Sequence, residues 1–175
     1  SYSVAFILPV RGTLPTVAET AYGAPSATIA GDVHVGAGSS IWFNVAIRGD
    51  VHHVRIGKNV NIQDGTVCHV TNKKFSLEIG DRVTVGHGAI LHGCVLEEES
   101  FVGMGAIVMD GARVESGAMV AAGALVSPGK VVKKGELWSG MPAKKMRDMT
   151  QDEICLLYTS PSPRDAHESR MPSSA

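Results

Sequence analysis

The sequence predicts an all-β solenoid, a parallel β-helix of hexapeptide repeats finished by a short C-terminal α-helix and built as one domain. Three observations predict it. An aliphatic residue returns at every sixth position from Leu96 through Val102, Val108, Val114, Val120, Val126 and Val132, with Trp138 on the next beat. Glycine keeps a constant offset behind that column, at Gly105, Gly111, Gly117, Gly123, Gly129 and Gly135. Aromatic residues make up only 5% of the 175 positions, as expected of an interior filled by aliphatic side chains.

A helix needs apolar positions three and four apart, and a half-buried strand needs alternation, so a strict period of six satisfies neither alone. Short strands joined by turns do satisfy it. Each hexad supplies one strand with an inward aliphatic residue, followed by a turn where glycine permits the required backbone. Three hexads close one triangular coil, and coils stacked about 4.8 Å apart give a prism roughly 30 Å long for six or so turns. Upstream the period runs through Ile29, Val35, Ile41 and Ile47, resumes at Ile56, Ile62 and Cys68, and resumes again at Ile79, Val85 and Leu91. The breaks are insertions, of which Thr71 to Phe75 is a polar loop. The β-helix is expected over 1–142, the segment before Ile29 covering one open end. Past Trp138-Ser-Gly-Met-Pro-Ala, good helix formers predict a capping helix beginning near Ala143 and running over 143–154. The Ser- and Pro-rich stretch 155–175 abandons the period and is expected to be a disordered, non-native tail.

Composition removes several function classes. Lys plus Arg number 16 against 17 Asp plus Glu, which leaves no excess positive charge for a phosphate backbone, so no nucleic-acid partner is expected. The apolar run near the N-terminus is interrupted by Pro9 and Arg11 and has no cleavage signature, so neither a signal peptide nor a membrane span is expected. Cys68, Cys94 and Cys155 are odd in number and lack paired metal spacing, pointing to buried thiols in a reducing, cytoplasmic setting.

The seven histidines divide in two. His34, His52, His53 and His167 have the ordinary surface or structural reading. His69 follows the inward Cys68 by one residue and His92 follows the inward Leu91 by one, so both occupy the same place in their hexads. With Thr71 to Phe75 set aside as a loop, they stack on adjacent rungs, close enough to converge on one zinc ion. His87 lies two places after Val85, on the preceding face, and points to another corner of the prism. A second subunit packed side by side can present it, which predicts a metal site between protomers and, from a three-sided prism, a homotrimer. Three histidines with an open fourth position describe a catalytic zinc site, although iron or cobalt suits the same ligands. At this point an outward histidine ladder without metal remains the alternative.

The ordered set Arg48-Gly49-Asp50, Asn61-Ile62-Gln63-Asp64-Gly65, Cys68-His69, Gly86-His87-Gly88, Leu91-His92-Gly93 and Gly140-Met141-Pro142-Ala143-Lys144 resembles the γ-class carbonic anhydrase family, over about residues 5–150. The resemblance implies a left-handed parallel β-helix that trimerises, with two metal histidines from one subunit and the third from its neighbour. It implies reversible hydration of carbon dioxide to bicarbonate. By the same resemblance Gln63 orients the reacting oxygen or substrate, Asn61 is a second polar contact, and Arg48, Asp50 and Asp64 form ion pairs across subunits. Two departures stand out. Val51 occupies the place of a glutamate found in well-characterised active members, and the stretch from His69 to His87 is shorter than their acidic loop. Glu97, Glu98 and Glu99 read as a solvated turn, and Tyr158 has no matching context. Two other functions fit part of the pattern: a metal-stabilised trimeric scaffold with little hydrase activity, and acyl transfer from coenzyme A with one histidine as base.

Overall fold

The computed structural model describes residues 3–159. The chain winds as a left-handed parallel β-helix with three flat faces, seven rungs on each. The first face is built from Phe6–Leu8, the start of Thr28–Val35, the start of Ala46–Ile56, Val67–His69, Ile90–His92, Ile107–Val108 and Leu125–Val126. The second face opens with Thr16–Val17, takes in the two long strands, which turn a corner and continue into it, and then runs through Leu77–Ile79, Val95–Leu96, Arg113–Val114 and Val131–Val132. The third face stacks Tyr22–Gly23, Ser40–Ile41, Asn61–Ile62, Thr84–Val85, Phe101–Val102, Met119–Val120 and Glu136–Gly140.

The repeat read from the sequence is the register of the solenoid. On the first face Ile29, Ile47, Cys68, Leu91, Val108 and Val126 are aligned rung to rung. The second aligns Val35, Ile56, Ile79, Leu96, Val114 and Val132, and the third Ile41, Ile62, Val85, Val102, Val120 and Trp138. Apart from Trp138, which is half-buried, these residues fill the core. Two residues ahead of most late members lies a smaller buried side chain (Ala89, Cys94, Ser100, Ala106, Ala112, Ala118, Ala124), because the corners leave less room than the faces. Gly105, at φ 67°, shows why glycine recurs: the turn needs a left-handed residue there. The buried thiols are Cys68 and Cys94, whereas Cys155 is exposed.

The C-terminal end differs from expectation. The helix does not begin near Ala143. Residues Ala143–Asp148 form a strand that folds back antiparallel on Glu136–Gly140. The cause is the unpaired edge of the last rung: pairing it satisfies a row of backbone groups that intrinsic helix propensity cannot. Lys145 holds the turn-back in place between Glu136 (3.3 Å) and Asp148 (2.8 Å). The helix is Gln151–Thr159, opened by a capping box in which Thr150 Oγ1 accepts from the Glu153 amide and Glu153 accepts from the Thr150 amide. Residues 155–159, expected to lie in a disordered tail, continue this helix, and the rest of that stretch falls outside the described residues. No helix among the described residues is long and apolar enough to cross a membrane.

Candidate metal centre at a corner of the prism

Two insertions fall on the corner between the first and second faces. Ile47 and Ile56 are nine residues apart, and Cys68 and Ile79 eleven, where the regular step is six. The first extra stretch contains Gly49 and Asp50. A Cβ at Gly49 would strike the Asp32 carbonyl and one at Gly31 the Gly49 carbonyl, so the two long strands stay paired through their register shift here only because both positions lack side chains. The chain leaving Gly49 carries Asp50 toward the next rung. The second extra stretch is a compact loop closed by a bridge between Thr71 and Phe75.

His69 and His92 stand directly opposite each other in the parallel ladder. Both are half-buried, with ring centroids 5.0 Å apart and His69 Nδ1 3.1 Å from His92 Nε2. Their other ring nitrogens meet carboxylates: His69 Nε2 is 2.9 Å from Asp50 Oδ1 and His92 Nδ1 is 2.7 Å from Asp110 Oδ1. An ionised carboxylate can only accept, so in the neutral rings each aspartate takes the single ring proton. Burial pushes both carboxyls up, but the hydrogen bond from His69 to Asp50, and those from His92 and Thr71 to Asp110, outweigh it and hold both below the ordinary range. The two facing nitrogens are then bare lone pairs aimed at one another, an arrangement that calls for a shared proton or cation. Tetrahedral zinc with nitrogens at 2.0–2.1 Å sets two ligands roughly 3.3 Å apart, close to the observed spacing.

The remaining expected residues divide between two places. Arg48 joins this corner by donating to Asp50 Oδ2 at 2.7 Å, an ion pair within one chain. His87, Gln63 and Asp64 gather at the opposite end of the first face. Asp64 Oδ1 is 3.5 Å from His87 Nδ1, and Gln63 and His87 face a shallow groove walled by Phe101, Met104 and Met119, with Arg147 and Glu153 beyond. Asn61 lies on the neighbouring rung position, its Oδ1 accepting from the Trp42 indole at 2.8 Å. His87 and His92 are five positions apart, a span of up to ~17 Å in extended chain. Among the described residues no three His, Cys, Asp or Glu side chains stand close enough to hold a metal within one chain.

Asp110 and Thr71 were absent from the sequence expectations. The signal was available: His69 and His92 align, Leu91 aligns with Val108, and Asp110 follows two residues later on the next rung. His53 pairs with Glu78 at 2.6 Å, His34 stands 3.9 Å from Asp32, and His167 lies outside the described residues. Glu97 pairs with Arg113, while Glu98 and Glu99 pair with Arg82 on an exposed corner.

No family model matches the chain. Individual proteins do. It is 49% identical over 148 residues to the carbonic anhydrase of Geobacillus kaustophilus, covering 85% of this chain and 81% of that protein. It is 48% identical over 159 residues to gamma carbonic anhydrase 1, mitochondrial, of Arabidopsis thaliana, covering 88% of this chain but 58% of that relative, so the chain spans little more than half of the longer plant protein. Among solved structures, a hexapeptide transferase family protein from Anaplasma phagocytophilum matches at 46% identity with a TM-score of 0.83, over 94% of this chain and 93% of that one. With its fold, its ordered motifs and relatives at this identity over most of their length, the chain belongs to the gamma carbonic anhydrase family.

Proposed function

We propose that this chain interconverts carbon dioxide and bicarbonate as a homotrimer, with zinc held by His69 and His92 of one subunit and His87 of the next. The observation that carries the proposal is the pair of imidazole nitrogens 3.1 Å apart, each ring fixed from behind by an aspartate. Carboxylate-backed histidine is the ordinary outer support of a metal ligand, setting both ring orientation and basicity. Iron or cobalt fits the same nitrogens. Bound there with one position open, the cation would acidify a water and so supply a nucleophile for carbon dioxide at neutral pH.

The outer surface favours the assembly. On the first face Ala46, Val67, Ile90, Ile107 and Leu125 form an outward apolar column beside the histidine pair, with Val67 42% and Ile90 39% exposed. Phe43, at 43%, and Met104, at 58%, add apolar surface near the corner that carries His87. A contiguous apolar strip of this kind marks a surface that a neighbour covers. A neighbour that delivers His87 also delivers Gln63, because the two share a corner. Gln63 then orients the attacking oxygen or the nascent bicarbonate by hydrogen bonding, and the Asn61 amide, its oxygen already held by Trp42, keeps its N–H groups to donate. Arg48 neutralises Asp50, and Asp64 sits beside His87 as its counterpart on the other corner.

The test is stopped-flow hydration of carbon dioxide by assembled protein of measured metal content. Full metal occupancy with no acceleration would replace this reading by the metal-stabilised scaffold, which the carboxylate-free loop Thr-Asn-Lys-Lys-Phe at 71–75 favours. Coenzyme A binding without metal would point instead to acyl transfer.

A further inference from the structure

We infer that Asp110 is the positioning residue of His92, and that the short loop Thr71 to Phe75 is the strut that holds Asp110 in place. The inference rests on the metal reading above, and it assigns the loop a task different from carrying protons.

The chain of contacts is continuous. Asp110 Oδ1 accepts from His92 Nδ1 at 2.7 Å, and Asp110 Oδ2 accepts from the Thr71 hydroxyl at 2.7 Å. Both carboxylate oxygens are therefore committed, one to the ring and one to the loop. The loop is fastened at its other end by packing. Phe75 lies over the backbone of two successive rungs: a Cβ at Gly93 would come within 2.8 Å of Phe75 Cβ, and one at Gly111 within 3.0 Å of the Phe75 ring. The same Cβ at Gly93 would also come within 2.6 Å of Asp110 Oδ1. Gly93 follows His92 directly, so the absence of a side chain there is what lets the aspartate and the phenylalanine both close on the ligand-bearing strand. Backbone bonds complete the column, with Gly93 donating to His69 O at 3.0 Å and Gly111 to Gly93 O at 2.8 Å.

The consequence for His92 is a fixed tautomer. With Nδ1–H spent on Asp110, Nε2 is the bare nitrogen, and Nε2 is the atom that faces His69. Removal of the carboxylate frees the ring to rotate and to protonate at either nitrogen, and the Nε2 lone pair is no longer guaranteed. Losses of about 10–100-fold in metal affinity are typical when such a support is removed.

The test compares wild type, Asp110→Ala, Asp110→Asn and Thr71→Val as assembled proteins. Zinc affinity is read by chelator competition, and the His92 tautomer by ring nitrogen NMR on the metal-free form. The expected results are a loss of about 10–100-fold in zinc affinity for Asp110→Ala, partial rescue by Asp110→Asn, whose amide oxygen still accepts, and a smaller loss for Thr71→Val. Metal-free wild type should show His92 protonated at Nδ1, and Asp110→Ala should lose that signature while keeping its oligomeric mass and melting temperature. Wild-type zinc affinity in Asp110→Ala would overturn the inference and leave the metal reading standing. Failure of wild type itself to bind zinc, iron or cobalt would overturn both.

Discussion

The proposed division of ligands between subunits makes a quantitative claim about mixed assemblies. His69→Ala chains keep His87 but lose half of the stacked pair, and His87→Ala chains keep the pair but lose the third ligand. Neither can complete a site alone, since His87 stands at the far end of the face from His92 and no three-ligand cluster exists within one chain among the described residues. In a randomly mixed trimer each interface has about one chance in four of joining an intact pair to an intact His87, so about a quarter of the native metal content returns. Isolation of trimers carrying two different affinity tags sharpens the number. Every trimer containing both variants has one productive interface in its cyclic order, giving about one metal ion per trimer against about three in wild type. The assay is elemental analysis of doubly tagged trimers alongside the two parents. Doubly tagged trimers without metal, or either parent with a full complement, would refute the argument that the ligands come from different subunits.

Other perturbations read other parts of the structure. His87→Ala should abolish tight metal binding while leaving the metal-free melting temperature unchanged, because His87 is exposed and takes no part in the core; a loss of fold would show that its role is structural. Leu91→Ala removes a fully buried side chain aligned between Cys68 and Val108 and should cost roughly 2–5 kcal/mol in a denaturant titration. Gly93→Ala forces a side chain onto a residue at φ 59° and into Asp110 and Phe75, so it should destabilise the fold by about 1 kcal/mol or more and weaken metal binding together. Glu153 is held at a pKa of about 2, first by Arg147 and then by the Thr150 amide, from an ordinary 4.5. Its depressed value means that its support of the helix is present above pH 4.5 and is lost as pH falls toward 2, which should appear as faster amide exchange at Ile154, and Glu153→Gln should show that faster exchange already at neutral pH.

The period of six carried nearly all of the fold, since it reports a geometric constant: each inward residue must meet the one above it. For that reason the columns through Leu91, Leu96 and Val102 match the observed register residue by residue. The adjacency of His69 and His92 was legible for the same reason, once Thr71 to Phe75 was set aside as a loop. Ala143 to Asp148 was not legible. Lys144, Lys145, Met146 and Arg147 favour a helix locally, and what decides their conformation is the unpaired edge of the strand Glu136–Gly140, a property of the finished solenoid that no local window contains. Asp110 was missed because its partners, His92 and Thr71, are 18 and 39 residues away, and because an aspartate before a glycine reads first as a turn residue.

The placement of the insertions explains why this corner brings the two histidines and their aspartates together. A regular coil leaves its corners as tight turns, with a small buried residue inside and little outward reach. Where the step lengthens, after Ile47 and after Cys68, the chain gains side chains that leave the lattice, and both departures fall on the same corner in successive coils. One brings Asp50 behind His69 and the other brings Thr71 to Asp110 behind His92. Rung spacing alone would stack two histidines without fixing which nitrogens face each other. Asp50, on the first insertion, and Asp110, on a regular rung but fixed by Thr71 of the second, take up the outer ring protons, so the repeat stacks the two rings and its interruptions decide which nitrogens face each other.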